Sequence, residues 1–327
     1  VKLVAVTALL LSLFAVPAFA VDVGFDEVTI PNGAEPPLIA GIWYPTNAPA
    51  TPHSLGAIRQ TVAPNAPLAG NHLPLVVMSH GGAGWYDGHY DTALALARAG
   101  FVAAAVGHAG DTFKDQSRTL QLWRRPAQLH RLVDYMLDGW RGHEQLDAAR
   151  IGAFGFSNGG FTVLVAAGGI PDLLKIQPFC KAHRDHDLCE ALRQAQVDLP
   201  SVANVPASAW IHDSRIKAIV IAAPAFGFAF GKAGLSDVHA AVQLWSAADD
   251  RHQPHPDYDE PVRDDLPRAP DYRAVANAGH YDFLPPCDTR LSRIQPEICT
   301  SLSGFDRAGF HERFNADVVR FFQSELP

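Results

Sequence analysis

Short apolar runs alternate with stretches whose apolar residues recur at helical spacing, and this rhythm organises most of the chain. Leu73–His80, Phe101–Val106, the run ending at Phe154, Ile216–Ala223, Ala240–Ser246 and Tyr272–Ala276 have the length and apolar character of strands. Runs without strict alternation predict strands covered on both faces, the habit of parallel sheets. Between them, Tyr90–Ala99 and Leu120–Trp140 read as helices with a core-facing stripe, the first ended by Gly100. Phe161–Ala167 is helix-compatible, and Arg307–Glu325 reads as a closing amphipathic helix. Phe25–Ile30 and Ile39–Pro45 look like an opening antiparallel pair, and the segment 46–71, rich in Pro, Ala and Asn, reads as a long loop. The segment 170–213 breaks the rhythm with charges, prolines and two cysteines, as an insertion over the sheet edge would. With no internal repeat or linker, the pattern predicts one α/β domain over 21–327, mostly parallel, with helices on both faces and a lid-like insertion at about 170–213.

The most informative stretch is Gly155-Phe-Ser157-Asn158-Gly159, between a strand and a helix. A Gly-x-Ser-x-Gly sequence in that setting is a nucleophile elbow, whose serine sits at the apex of a strained turn with its oxygen presented to substrate. A β-carbon at either flanking glycine would collide across so tight a turn. In chains with this elbow the acid and then the histidine follow in order. Of 15 histidines, His280 stands out: it follows Gly279 and a strand, and precedes the last helix. The acid belongs on the loop after the 240–246 strand, where Asp249 and Asp250 compete. His80-Gly81-Gly82-Ala83-Gly84, at the end of the 73–80 strand, is suited to an oxyanion site, with Gly82 N–H and the N–H of Asn158, just after the nucleophile, as donors. Neither nucleotide-binding glycine pattern is present. Trp85 and Tyr86 lie just beyond that loop and His108 at a neighbouring strand end, each open to a substrate-side or a packing role. His183 and His186 have a spacing that suits a metal on a helix, but a solvated lid segment is the better reading.

Taken together, His80-Gly-Gly82, Ala104-Ala-Val-Gly-His108, Gly155–Gly160, Asp249-Asp250 and Gly279-His280-Tyr-Asp-Phe283 resemble the α/β-hydrolases of the dienelactone hydrolase / platelet-activating factor acetylhydrolase-like group, along nearly the whole chain after its first 20 residues. Hydrolases of this type commonly carry the acid four residues before a proline, which favours Asp250 through Pro254 over Asp249. Two departures stand out. Dienelactone hydrolases use a cysteine where Ser157 stands, and the acetylhydrolase acid site corresponds to Ala222–Phe226, which has no acid. The resemblance implies a serine carboxylic-ester hydrolase with the triad Ser157, Asp250 and His280, a small-molecule ester substrate, an acyl-enzyme and no cofactor or metal. An amidase or peptidase with the same triad is the alternative, and a non-catalytic binding protein on this fold a weaker one.

Composition adds the setting. Lys2 and the apolar run to Val16, ending Ala18-Phe-Ala20, read as a secretory signal peptide cleaved after Ala20, too short for a stable membrane span. The expected location is periplasmic or secreted. Four cysteines in an exported chain suggest two disulfides, and pairing neighbours gives Cys180–Cys189 and Cys287–Cys299, one of three connectivities. A formal net charge of −8 argues against a nucleic-acid partner.

Overall fold

The computed structural model describes residues 22–327; the expected leader, 1–20, lies outside them. Ten strands form one sheet: β1 (Asp22–Ile30), β2 (Leu38–Thr46), β3 (Thr51–Leu55), β4 (Ile58–Pro64), β5 (Leu73–Ser79), β6 (Val102–Gly107), β7 (Leu146–Phe156), β8 (Ile216–Ala222), β9 (Ala241–Ala247) and β10 (Asp271–Val275). Their order across the sheet is β10-β9-β8-β7-β5-β6-β2-β1-β4-β3. From β6 through β10 neighbouring strands run parallel, while β2 joins β6 and β1 antiparallel. The expected mostly parallel sheet with an antiparallel opening pair is therefore present.

Alternation within the strands explains the layers. Leu75, Val77, Val102, Ala104 and Val106 face one core cluster, together with helices α2 (Arg124–Asp138) and α3 (Asn158–Ala166). Val76, Met78, Ala103 and Ala105 face the other, covered by α1 (Tyr90–Arg98) and the C-terminal helix Arg307–Glu325. Since side chains along a strand point alternately to opposite faces, a run apolar at every position needs a covering layer on each side.

The segment 46–71 departs from expectation. It holds the hairpin β3/β4, turned at Gly56 with φ +54°, and β4 meets β1 in parallel at Gly24 and Phe25. Polar Gln60 is buried in β4, where its Oε1 accepts from Trp43 Nε1 at 2.7 Å; a polar residue at an inward position conceals the strand alternation. Residues 170–213 carry short helices, among them α4 (Ile176–Ala182) and α5 (Asp187–Gln194), joined by the Cys180–Cys189 disulfide. Leu173, Ile176, Leu192 and Trp210 from this segment enter the α2/α3-side core. The second disulfide is Cys287–Cys299. No helix among the described residues is long and apolar enough to cross a membrane.

Candidate active site

β5, β7 and β9 end at one edge of the sheet, where the order of connection reverses between β5 and β7. Ligands of open α/β sheets bind at such a crevice, beyond the carboxyl ends of the strands. Ser157 stands at the end of β7 with φ +55° and ψ −120°, a conformation a non-glycine residue adopts only when its surroundings enforce it. The surroundings are close. A β-carbon on Gly155 would lie 2.1 Å from Gly159 O, and one on Gly159 would lie 1.9 Å from Ser79 O. The Ser157 carbonyl accepts from Phe161 N and Ala225 N, and its N–H donates to Ala222 O. Helix α3 begins at once and is buried from Gly159 to Ala166.

His280 Nε2 lies 3.1 Å from Ser157 Oγ, and its Nδ1 lies 2.7 Å from Asp250 Oδ2. Carried on Nδ1, the imidazole proton points at the carboxylate and leaves Nε2 to accept from the serine hydroxyl. Residual exposure is small, 7% for Ser157, 6% for His280 and 5% for Asp250. Asp250 Oδ1 also accepts the backbone N–H groups of His252 at 2.8 Å and Gln253 at 2.7 Å. Burial pushes this carboxyl up, but the His280 hydrogen bond, the His280 charge and those two N–H groups outweigh it, and its pKa lies below the ordinary value. Asp249 points into solvent, and only its N–H is engaged, with Ala278 O. The structure therefore brings Ser157, His280 and Asp250 together and leaves Asp249 outside.

The turn that presents His280 is held from behind. Asp282 accepts the Gly279 N–H at 2.8 Å, Ser301 Oγ at 2.5 Å and Arg307 Nε at 3.0 Å. His311, packed in the closing helix, reaches the Asp282 carbonyl at 3.0 Å and pairs with Asp91 at 2.7 Å. Phe156 lies against the His280 ring, centroids 4.7 Å apart.

Gly82 and Asn158 are neighbours: a β-carbon on Gly82 would lie 2.8 Å from Asn158 Nδ2. Among the described residues neither backbone N–H has a protein acceptor, so both remain free to donate. Tyr86 is packing, buried against Trp43 with its hydroxyl on Glu27. Trp85 lies over Gly107, with Phe113 edge-on to it. His108 is a buried structural group between Ser79 Oγ and Gln128 Oε1. His186 caps α5 and stacks on Tyr258, and no metal-ligating cluster occurs among the described residues. The insertion reaches the site through His252, which pairs with Asp187 at 2.9 Å and lies 5.4 Å from the His280 ring.

Sequence reasoning missed Arg125 and Asp111, a buried pair joined at 2.6 Å beneath the glycine loop. It also passed over Asp282 and Arg307, which lie far from Ser157 in sequence.

Among the solved structures that share this architecture, two match it across nearly the full chain. One is a ferulic acid esterase from Streptomyces cinnamoneus, with a TM-score of 0.63 and 20% identity over 95% of this chain and 92% of that one. The other is a dienelactone hydrolase from Anabaena variabilis, with a TM-score of 0.52 and 14% identity over 92% and 97%. The chain has the α/β-hydrolase fold. No protein-family model and no curated protein sequence matches it. Within this fold, Ser157 lies between β7 and α3, the glycine turn follows β5, and Asp250 lies on the loop after β9.

Proposed function

We propose that the protein is an exported serine esterase that cleaves small carboxylic esters through an acyl-enzyme. The observation that carries this reading is the unbroken hydrogen-bonded chain Ser157–His280–Asp250 at the carboxyl edge of the sheet. Ser157 Oγ attacks the acyl carbon while His280 Nε2 takes its proton; the same proton then goes to the departing alcohol. Asp250 fixes the tautomer and stabilises the imidazolium. The N–H groups of Gly82 and Asn158 receive the developing oxyanion, helped by the positive end of α3. Water then attacks the acyl carbon with His280 as base, which frees Ser157.

The fold likeness to an esterase and to a dienelactone hydrolase favours ester chemistry, although the same triad serves amidases. Two disulfides favour an oxidising compartment, in keeping with the leader expected at 1–20. We read 21–327 as one domain, with 170–213 as a cap that shapes the acyl pocket. A panel of p-nitrophenyl esters and anilides, run beside fluorophosphonate labelling, tests the proposal. Labelling of Ser157 with ester turnover well above anilide turnover is expected. Absence of labelling would defeat the nucleophile assignment, and anilide preference would make the protein an amidase.

A further inference from the structure

The two proposed oxyanion donors lie on different segments, Gly82 in the loop after β5 and Asn158 at the start of α3. Their mutual spacing has to be fixed by something that grips both. One side chain does so. Arg125, on α2 and 2% exposed, donates through Nη2 to the carbonyl of His80 and reaches Ser79 Oγ at 3.4 Å. Its Nε donates to Thr162 Oγ1 at 3.0 Å, and that hydroxyl donates to the Asn158 carbonyl at 2.6 Å. Its Nη1 donates to Asp111 Oδ2 at 2.6 Å, while Asp111 Oδ1 accepts the Ala83 N–H at 2.9 Å. One planar fork thus binds the residue two before Gly82, the residue after Gly82 through Asp111, and the carbonyl of Asn158, at the first turn of α3, through Thr162.

The loop needs such restraint. Ala83 has φ +53°, a left-handed conformation that costs a non-glycine residue energy and persists only where surroundings impose it. The accepted Ala83 N–H also turns that donor away from substrate, leaving the Gly82 N–H unpaired. Asp111 stays ionised: burial raises its pKa, but the Arg125 charge and the Ala83 N–H lower it more. Burial and the Arg125 charge depress His80 to about 3, so the ring is neutral, in keeping with Nε2 accepting the His108 N–H at 3.1 Å.

We infer that Arg125 and Asp111 are positioning residues that set the distance between the Gly82 and Asn158 N–H groups, and so act on the transition state rather than on substrate binding. The inference rests on the esterase reading and adds to it the device that assembles its oxyanion site. Interactions made only in the transition state lower kcat without raising KM when they are lost.

The test compares wild type with Arg125→Lys and Thr162→Val, measuring kcat and KM per site titrated with a fluorophosphonate, and the inhibition constant of phenylboronic acid, whose serine adduct is tetrahedral. Lysine keeps the charge but lacks the fork, and a donor misplaced by an ångström costs about 10²-fold. Arg125→Lys should therefore lower kcat per titrated site by about 10²-fold, leave KM within about twofold, and weaken phenylboronic acid in step with kcat. Thr162→Val removes one hydroxyl at nearly constant volume and should lower both by roughly tenfold. Wild-type kcat and boronate affinity in the folded variants would overturn the inference while leaving the esterase reading intact. So would an unfolded Arg125→Lys beside an unaffected Thr162→Val, which would reduce the pair to a stability element. A wild type that neither turns over esters nor takes the fluorophosphonate would defeat the esterase reading, and the inference with it.

Discussion

Replacing Asp250 by Asn changes one atom and separates orientation from packing. The wild-type carboxylate accepts three hydrogen bonds, from His280 Nδ1 at 2.7 Å, His252 N at 2.8 Å and Gln253 N at 2.7 Å. An asparagine Oδ1 can keep the two backbone bonds, so its Nδ2 is left facing His280. Two donors would then meet, and the imidazole resolves the conflict by moving its proton to Nε2. That nitrogen lies 3.1 Å from Ser157 Oγ; once protonated, it can no longer accept the serine proton. The loss expected from a wrong tautomer is about 10⁴-fold in kcat, equivalent to about 5 kcal/mol of barrier. Asp249→Asn is the matched control, because its side chain is exposed and its one backbone bond, to Ala278 O, is untouched. Surface changes of that kind leave stability within ~0.5 kcal/mol, and since this side chain touches no group of the site, kcat should stay within about twofold, under ~0.5 kcal/mol of barrier. Steady-state hydrolysis of a p-nitrophenyl ester, with circular dichroism to verify folding, measures both. A folded Asp250→Asn retaining a tenth of wild-type turnover, or an Asp249→Asn equally impaired, would refute the assignment.

Ser157→Ala should abolish turnover by several orders of magnitude and remove fluorophosphonate labelling, with an unchanged melting temperature. Gly159→Ala should fail to fold or melt far earlier in a thermal scan, because its β-carbon would stand 1.9 Å from the Ser79 carbonyl oxygen. His89 is buried against Phe154 and Phe156, and neither ring nitrogen has a partner among the described residues. Burial lowers its pKa from 6.5 to about 4, so its stabilising contribution is complete above pH 6.5 and lost as pH falls toward 4, about 3 kcal/mol in all. Chemical denaturation across that range should show a flatter acid limb in His89→Phe, and a wild-type slope there would contradict this account. Peptide mapping without reduction should recover Cys180 joined to Cys189 and Cys287 joined to Cys299, with no free thiol.

What was legible in the sequence was local. The elbow lies within five residues and its steric logic needs only glycine, so Gly155, Ser157 and Gly159 could be read without knowing where β5 runs. Strands β5 to β9 announced themselves because burial on both faces leaves little room for polar residues. The β3/β4 hairpin did not, since Pro52 and Pro64 lie at or near the strand ends and Gln60 occupies an inward position. Choosing Asp250 over Asp249 required more than pattern. The resemblance, through Pro254, favoured Asp250, and the fold supplies the physical reason: its side chain turns inward to a histidine thirty positions later, while that of Asp249 is exposed.

Arg125 is the instructive omission, because a signal was present. It belongs to an Arg124-Arg125 doublet, which by composition alone looks like a solvated helix start. Yet Gln128, Leu129, Leu132 and Met136 follow it at three, four, seven and eleven positions, and all are buried with it on one face of α2. An arginine in register with an apolar stripe has to find its hydrogen-bond acceptors inside the protein or unfold the helix's contact with the core. Here the acceptors are a carboxylate from the loop after β6, a hydroxyl on α3 and a carbonyl at the end of β5. Three separate segments meet at one guanidinium, and two of them carry the groups that would stabilise an oxyanion. Arg124, one residue earlier and off the stripe, pairs instead with partly exposed Glu35. A charge on the buried stripe thus distinguishes the arginine that organises the site from the neighbour that does not, and the test is direct: Arg124→Lys should leave kcat within about twofold, while Arg125→Lys should not.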